Sequence, residues 1–463
     1  MNRSSSRRDF LKSTAAAGMG FWVAGGLTPA QSKSPNEKLN IASVGCGGKG
    51  YGDMAHCASE NIVALCDVDE RRAARARKEQ PGANFYRDYR KLLETEKSID
   101  AVTVSTPDHM HAPVAVQAMR MGKHVYVQKP LTRLVGEARL LRETALKHNV
   151  VTQMGNQGSA VSGLRRGVEV IQAGAIGSVR QVHVWSNRPV WTQGIEQPLP
   201  SQSVPNDLDW YLWLGVAADR PYNEGYCPFK WRAWWDFGTG ALGDMACHTA
   251  NLPFRALKLE YPTSIEAESS GVNPHTAPIW STIRFEFPAR GELPPVSFFW
   301  YDGGKKPSAE VTEGMNLASV KGGKKKRREE LKPGDIPGSG CMIVGDKGTL
   351  FSPDDYGSAF KLFPDEDYAD YKGPMEWLPR RSRDEGDDAD KSQALEWIQG
   401  IKGGAKPYSS FDFAALLTET ILLGNLALRT GKKLEWDGPN MKAKNCPEAN
   451  DLVAMHYRKG WEI

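Results

Sequence analysis

The chain has 463 residues, of which 40 % are hydrophobic and 25 % charged, and this length suits two domains with a sizeable core. Its formal net charge of +4 is concentrated at the start, because residues 1–30 hold four basic side chains against one acidic side chain and leave about +1 for the remainder. This balance argues against nucleic acid as a general partner, and the basic run at 324–328 lies among glycines, prolines and glutamates, as a solvated loop would.

The first thirty residues have the features of an export signal. Ser6 to Lys12 read SRRDFLK, a weakly apolar run extends from Ala15 to Leu27, and small residues around Ala30 suit cleavage. The pattern resembles the twin-arginine signal, which directs proteins that fold before export, although an ordinary basic signal is the alternative. We therefore expect a signal peptide at 1–30, a periplasmic location, and a cofactor that is bound in the cytoplasm.

A nucleotide-binding pattern follows. Leu39 to Val44 is a short apolar run typical of a strand, and the next residues fit G-x-G-x-x-G, with glycines at Gly45, Gly47, Gly48 and Gly50. A second predicted strand, Asn61 to Cys66, ends in Asp67, where a carboxylate can bind an adenosine ribose and repel a 2′-phosphate. The pattern predicts NAD rather than NADP, although Arg71 and Arg72 lie nearby; a structural glycine turn in an unrelated α/β fold is the alternative.

Predicted strands and helices then alternate, which indicates a doubly wound parallel sheet. The strands are Ile99 to Ser105, Lys123 to Val127 and Val150 to Met154, and the helices between them are His111 to Met121 and Leu131 to His148. Ligands bind past the carboxyl ends of such strands. We therefore expect cofactor contacts in the turns that follow them, from Thr106, Pro107, His111, Gln128 and Lys129.

A glycine-rich stretch from Phe237 leads into a predicted helix on which Asp244 and His248 lie one turn apart, with Asn251 on nearly the same face. A histidine beside a carboxylate can serve as a general base near neutral pH, although a helix-surface ion pair explains the spacing equally well. Asp108, His109 and His111 could add metal ligands, but the spacing is not typical of zinc, and the seven cysteines have no C-x-x-C pair. We expect no metal.

These motifs, in this order, resemble the glucose–fructose oxidoreductase / inositol dehydrogenase (Gfo/Idh/MocA) family over about residues 38–258. The resemblance implies an N-terminal Rossmann domain and a C-terminal α/β domain whose open, mostly antiparallel sheet shapes a sugar pocket and often an oligomer interface. It implies that Lys129 binds the reacting hydroxyl, that His248 is the acid/base, and that Asp244 binds a substrate hydroxyl. Two residues depart from the family pattern, since Gln128 and Asn251 stand where carboxylates are usual. Asn251 is nevertheless a candidate for substrate binding.

The predicted domains are a Rossmann domain at 38–155 and a substrate-binding and oligomerisation domain at 156–463. In the second, Arg180 to Ser186, Ser281 to Phe287 and Val296 to Tyr301 read as strands. Two aromatic-rich stretches, 209–215 and 226–236, suit sugar rings or core packing, and Lys230 and Arg232 are pocket candidates. Phe411 to Thr430 reads as a helix and the residues from Lys432 as irregular. No segment after the signal is expected to reach the length and apolarity of a membrane span.

The sequence thus predicts an NAD-dependent oxidoreductase that acts on a hydroxyl of a sugar or sugar derivative, with a tightly bound cofactor that is recycled within the catalytic cycle. An NAD-dependent glycosidase or lyase working through a transient keto-sugar is the alternative, and a non-catalytic sugar-binding protein is a weaker one. The expected partners are a sugar or glycoside and further copies of the chain, as a dimer or tetramer.

Overall fold

The computed structural model describes residues 37–320, 332, 334–380 and 388–463. The predicted signal peptide at 1–30 and the basic run at 324–328 lie outside these residues. The described residues belong to one compact unit, so the domain boundary after residue 155 stays a prediction.

Strands and helices alternate through the first part of the described chain, as the sequence predicts. The strands are β1 (Asn40–Val44), β2 (Asn61–Cys66), β3 (Asn84–Tyr86), β4 (Ala101–Val104), β5 (His124–Val127) and β6 (Thr152–Met154). The helices are α1 (Lys49–His56), α2 (Glu70–Glu79), α3 (Tyr89–Thr95), α4 (His111–Arg120), α5 (Val135–His148) and α6 (Ser162–Gln172). The six strands are all parallel, in the order β3-β2-β1-β4-β5-β6, which confirms the Rossmann sheet.

The predicted helix from Leu131 begins only at Val135. The reason is a cap: the Glu137 carboxylate accepts hydrogen bonds from the backbone N–H groups of Arg133 and Leu134, at 3.1 and 2.9 Å. This carboxylate satisfies donors that have no partner within the helix, so the first turn of helix forms after these residues.

A second sheet contains nine strands. They are β7 (Val179–Trp185), β8 (Ser264–Ser269), β9 (Ser281–Phe287), β10 (Val296–Tyr301), β11 (Gly340–Gly345), β12 (Thr349–Ser352), β13 (Lys361–Phe363), β14 (Leu434–Asp437) and β15 (Lys442–Ala443). Their order is β13-β12-β11-β7-β10-β9-β8-β14-β15, and every pair is antiparallel except β7 with β10. The predicted mostly antiparallel sheet is confirmed. β9 and β10 alternate buried residues with more exposed ones, which is typical of strands in a sheet with one packed face.

The remaining helices are α7 (Trp210–Leu214), α8 (Gly240–Thr249), α9 (Asn251–Ala256), α10 (Ala389–Ile401), α11 (Phe411–Thr430) and α12 (Pro447–Val453). Among the described helices, α11 alone is long and apolar enough to cross a membrane by length and composition, so the expectation that no segment reaches that apolarity was wrong. However, 83 % of its apolar window is buried inside the protein, where it packs on α5, α8 and β8. The tail from Lys432 is irregular only in its last part, residues 454–463, since the residues before them form β14, β15 and α12.

A long connection between β7 and α8, residues 187–239, covers part of the first sheet; we call it the cap segment. Its tryptophans, tyrosines and phenylalanines form a buried cluster, so core packing accounts for most of them. The cap segment is bonded to the end of β2, where Asp209 donates its backbone N–H to the carbonyl of Val68 at 2.9 Å and Glu70 donates to Asp207 at 3.0 Å. The cap segment therefore covers the carboxyl ends of the strands of the first sheet.

Candidate active site

A cavity of about 530 Å³ lies between the carboxyl ends of the Rossmann strands, the cap segment and α8. Ligands of open α/β sheets bind at this edge, and the volume is within the range of small-molecule and cofactor sites. It is lined by residues from both predicted domains, among them Gly47, Asp67, Thr106, Lys129, Arg232, Asp244 and His248.

The glycine turn is shaped by close backbone approaches. Gly45 has φ +83°, and a side chain there would lie 2.6 Å from the carbonyl oxygen of Ser105, while a Cβ on Gly50 would lie 1.8 Å from the carbonyl of Gly45. Gly45, Gly47 and Gly48 line the cavity, whereas Gly50 packs beneath the turn. The turn leads directly into α1, so its backbone N–H groups suit a pyrophosphate.

Asp67 lines the cavity at the end of β2. Its carboxylate oxygens accept backbone N–H bonds from Cys46 at 2.9 Å and Asp69 at 3.0 Å, and burial raises its pKa. Arg71 is paired with Asp69 at 2.8 Å, while Arg72 lies against Gly47 and Gly48 and lowers the pKa of Asp67 by its charge. Asp67 is thus fixed where a ribose would bind.

The predicted cofactor contacts in the turn after β4 divide into two groups. Thr106 and Pro107 line the cavity, and the Oγ1 of Thr106 is buried without a hydrogen-bond partner among the described residues. His111 does not line it: its Nδ1 lies 2.8 Å from the Pro130 carbonyl and its Nε2 2.9 Å from the Thr106 carbonyl. Burial lowers the pKa of His111 to about 4, so the ring is neutral, has a single N–H, and donates to one of these two carbonyls. It holds the turn in place and does not contact the cavity.

The surroundings of Gln128 explain why an amide stands where the family usually has a carboxylate. Its Nε2 donates to the Oδ2 of Asp53 at 2.9 Å, and Ser105 Oγ donates to the same oxygen at 2.7 Å. Asp53 is 3 % exposed and also pairs with Lys49. A glutamate at position 128 would place a second carboxylate against Asp53, whereas the amide supplies a donor.

Lys129, buried Asp244 and Arg232 form one charged cluster in the cavity wall. Lys129 Nζ lies 2.7 Å from Asp244 Oδ1 and 3.0 Å from the Asp244 carbonyl, and Arg232 Nε lies 3.3 Å from Oδ1. Burial raises the pKa of Asp244, but Lys129 and Arg232 outweigh it and lower the pKa to about 2. Asp244 is therefore an anion that holds the Lys129 ammonium in a fixed position.

His248 lies one helical turn after Asp244 and is 3 % exposed. Burial, followed by the charge of Lys129, lowers its pKa well below the ordinary 6.5, so the imidazole is neutral at neutral pH. Its Nδ1 is buried and has no hydrogen-bond partner among the described residues, and the ring packs edge-on against Tyr356 at 5.0 Å between ring centres. A neutral ring with a free nitrogen beside a cavity can accept a proton from a ligand.

Two predicted substrate residues are not brought to the cavity. Lys230 is exposed on a short 3₁₀ turn and does not line it, although its neighbour Arg232 does. Asn251 is fully buried elsewhere: its Nδ2 donates to Ser159 Oγ at 2.9 Å and its Oδ1 accepts from Arg255 Nε at 2.8 Å. The structure therefore does not bring these two residues to the cavity: Asn251 is bonded to Ser159 and Arg255, and Lys230 is exposed.

Other lining residues were not predicted for this site. Gln157, Arg188 and Tyr356 line the cavity, and Gln157 has a buried Oε1 without a partner among the described residues. Asp108 also lines it, accepts from Thr239 Oγ1 at 2.9 Å, and has its pKa raised to about 7 by burial. A sequence signal existed for Asp108, which belongs to the turn after β4, and for Gln157, which belongs to the turn after β6.

The raised pKa of Asp108 predicts a pH-dependent stability. Its folded pKa of about 7 exceeds the value of about 3.9 in an unfolded chain, so between these values the folded protein retains a proton that the unfolded chain releases, and stability falls as pH rises. Asp108→Asn cannot ionise. Its free energy of unfolding relative to the unmutated protein should increase by about 2–3 kcal/mol from about pH 5 to about pH 8. Urea unfolding at both pH values measures this difference, and an unchanged difference would contradict the raised pKa.

Across the part of the chain that the structure describes, no group of three or more His, Cys, Asp or Glu side chains could hold a metal ion. The cavity does fit a dinucleotide, because a tight glycine turn, a carboxylate at the end of β2 and several side chains with unpartnered polar atoms line it. The residues that would hold it are Gly45, Gly47, Gly48, Asp67 and Thr106.

Two family models match the chain and together span more than half of it. One describes an oxidoreductase family with an NAD-binding Rossmann fold and matches residues 39–156; the other describes its C-terminal alpha/beta domain and matches residues 169–292. The chain belongs to the GFO_IDH_MocA oxidoreductase family. The predicted family, fold class and NAD cofactor are thereby confirmed.

Curated relatives include a glycosyl hydrolase family 109 protein of Solibacter usitatus, 31 % identical over 151 residues, or 28 % of this chain and 34 % of the relative. A levoglucosan dehydrogenase of Pseudarthrobacter phenanthrenivorans is 26 % identical over 47 % of this chain and 50 % of its own length. The chain thus spans a third to a half of the length of these relatives.

Among solved structures, the WlbA dehydrogenase of Bordetella pertussis, in complex with NADH and UDP-GlcNAcA, superposes on this chain with a TM-score of 0.57. The two chains are 16 % identical, and the superposition covers 87 % of this chain and 99 % of that one. Its likeness shows the fold.

Proposed function

We propose that this chain is an NAD-dependent oxidoreductase that removes a hydride from a hydroxyl-bearing carbon of a sugar or sugar derivative and holds its cofactor between turnovers. One observation carries the proposal: Lys129, Asp244 and His248 line the same cavity that the glycine turn and Asp67 line further along the sheet. A cation, a neutral base and a dinucleotide site in one cavity are what alcohol oxidation requires.

When bound, NAD supplies the hydride acceptor for the carbon that is oxidised. The Lys129 ammonium stabilises negative charge as it develops on the reacting oxygen, since Asp244 holds it in place at 2.7 Å. The neutral imidazole of His248, which lines the cavity, accepts the hydroxyl proton, directly or through Lys129. The alcohol thus loses a hydride from carbon and a proton from oxygen, and the carbonyl forms.

The sugar class is supported by the aromatic part of the cavity lining, which Trp191, Phe229 and Trp231 supply. Arg232 lies over the Trp231 ring at 4.2 Å and also contacts Asp244, so flat apolar faces and hydrogen-bonding groups alternate along this wall. A sugar ring presents C–H faces and hydroxyl edges in the same alternation. The dehydrogenase relative named for levoglucosan supports the same class.

The test is a single-turnover measurement on the NAD-loaded full chain with a panel of free aldoses, uronates, inositols and aryl glycosides. We expect absorbance in the NADH band to rise with at least one of them. If none reduces the bound NAD while the protein still holds it, the proposed activity is wrong.

A second candidate is an NAD-dependent glycosidase, which the family 109 relatives favour. Transient oxidation acidifies the neighbouring C–H bond, a base removes that proton, the substituent leaves, and the hydride is returned, so that no net oxidation occurs. This candidate predicts release of the aglycone with solvent deuterium at the carbon beside the oxidised one. A non-catalytic binding protein predicts neither reaction.

The proposed location is the periplasm, after export by the twin-arginine route, and the motif SRRDFLK from Ser6 to Lys12 supports it. Replacing both Arg7 and Arg8 by Lys should leave uncleaved precursor in the cytoplasm, as fractionation and immunoblotting would show. Normal periplasmic accumulation of this variant would make the arginine pair incidental.

The proposed assembly is a homo-oligomer, a dimer or tetramer, built on the open face of the nine-stranded sheet. Half-exposed Phe299 and Tyr301, stacked with His183, support it. Light scattering of the purified protein tests it, and a monomeric mass would contradict it.

A further inference from the structure

Residues 454–463, which follow α12, return to the Rossmann sheet; we call them the return segment. Trp461 in this segment is 4 % exposed, and its ring lies 4.1 Å from the guanidinium carbon of Arg90 and 6.5 Å between centres from the ring of Tyr89. Arg90 Nη1 also donates to the carbonyl of Gly460 at 3.4 Å. The segment therefore packs on α3, at the edge of the first sheet.

The return segment is anchored on the cap segment by Arg458. Its Nε donates to the Gly215 carbonyl at 3.0 Å, its Nη2 donates to the Tyr211 carbonyl at 2.8 Å, and its backbone N–H donates to Val216 at 3.1 Å. Several bonds from one side chain fix Trp461 three residues further on. The return segment thus connects the Rossmann sheet to the cap segment.

Trp461 lines the cavity of the candidate active site, and its Nε1 is buried without a hydrogen-bond partner among the described residues. A buried indole N–H normally finds an acceptor, and leaving it without one costs free energy. Packing on Arg90 and Tyr89 explains the burial of the ring, but it does not explain the unpartnered donor. The structure thus leaves an unpartnered donor in a residue that lines the cavity.

The strand order indicates which part of a bound dinucleotide Trp461 would contact. Trp461 lies beside Asp88 and Tyr89, which follow β3, whereas Lys129 follows β5, four strand spacings or about 19 Å away across the sheet. With the reacting carbon at Lys129 and the ribose at Asp67, the β3 side is the adenine side.

We propose that Trp461 is a wall of the adenine site, that its ring packs on the base and its Nε1–H donates to the dinucleotide, and that the return segment retains the bound cofactor. This proposal rests on the proposed function, because it requires that the protein holds NAD tightly between turnovers. It assigns retention to a residue remote in sequence from the glycine turn.

The experiment measures the dissociation rate of radiolabelled NAD from the full chain, chased with excess unlabelled NAD. Trp461→Ala should raise that rate about 5- to 150-fold, the range expected when a base loses an aromatic stacking partner. Trp461→Phe keeps an aromatic ring and loses only the donor, so it should give a smaller increase. Tyr457→Phe is the matched control, because Tyr457 lies in the same segment, donates to Glu137 at 2.6 Å and does not line the cavity.

Arg458→Ala provides a second test that leaves the cavity wall chemically unchanged. It should also raise the NAD dissociation rate, since it frees the segment from Gly215 and Tyr211. Unchanged rates in both Trp461 variants, or an unmutated protein that exchanges NAD as fast as Trp461→Ala, would overturn the proposal. Failure of every sugar to reduce bound NAD would overturn the activity alone, because the dissociation rates do not depend on turnover.

Discussion

Lys129→Met should lower the rate at which an accepted sugar reduces bound NAD by about 10²–10³-fold, the usual cost of removing one group that stabilises a developing oxyanion. The thioether has nearly the length of the lysine side chain but no charge, so the reacting oxygen loses its cation. In this variant Asp244 loses Lys129 but still pairs with Arg232 at 3.3 Å, so no isolated buried anion remains. NAD content should be unchanged, because the glycine turn and Asp67 lie elsewhere along the sheet.

Lys230→Met is the matched control, since it makes the same chemical change at an exposed lysine that does not line the cavity. It should reduce NAD at the unmutated rate. The measurement is stopped-flow absorbance in the NADH band on NAD-loaded protein at saturating sugar. A Lys129→Met variant as fast as the Lys230→Met variant would place the chemistry elsewhere.

His248→Ala should reduce the same rate by about 10²–10⁴-fold, the typical contribution of a general acid/base. The lowered pKa keeps the imidazole neutral at neutral pH, so the unmutated protein always has a free nitrogen to receive the proton. Because the lost function is proton acceptance, raising the pH should partly restore the rate in the variant, as hydroxide replaces the missing base. NAD content and the melting temperature are measured in parallel to separate this effect from misfolding.

His148→Ala is the control for this change, because His148 is half-buried at the end of α5 and does not line the cavity. Its rate and pH profile should match those of the unmutated protein. A pH profile of His248→Ala that is parallel to the unmutated one would mean that His248 positions the substrate and accepts no proton.

Much of this arrangement could be predicted from sequence because local patterns determined it. Strand and helix alternation required a parallel sheet, and the turns after its strands carried Thr106 and Lys129 to one edge. The i, i+4 spacing placed Asp244 and His248 on one face of a helix, and both line the cavity.

Helical periodicity failed at Asn251 because the helix does not continue that far. α8 ends at Thr249 and α9 begins at Asn251, so the face that carries His248 cannot be extrapolated across the break. The place of Trp461 in the cavity wall could not be predicted from sequence, for another reason. Its contact with Arg90 joins residues about 370 positions apart, and no local pattern records such a contact.

All seven cysteines are free and buried. Burial raises the pKa of Cys57, Cys227 and Cys247 to about 12, so these thiols stay protonated and unreactive while the fold is intact. An unfolded chain entering an oxidising compartment would present every one of these sulfurs to the disulfide-forming machinery, with many wrong pairings open to it and no native pairing to guide them. A chain that crosses the membrane already folded presents none of them, and for this sequence oxidative misfolding is then avoided without any change in its cysteines.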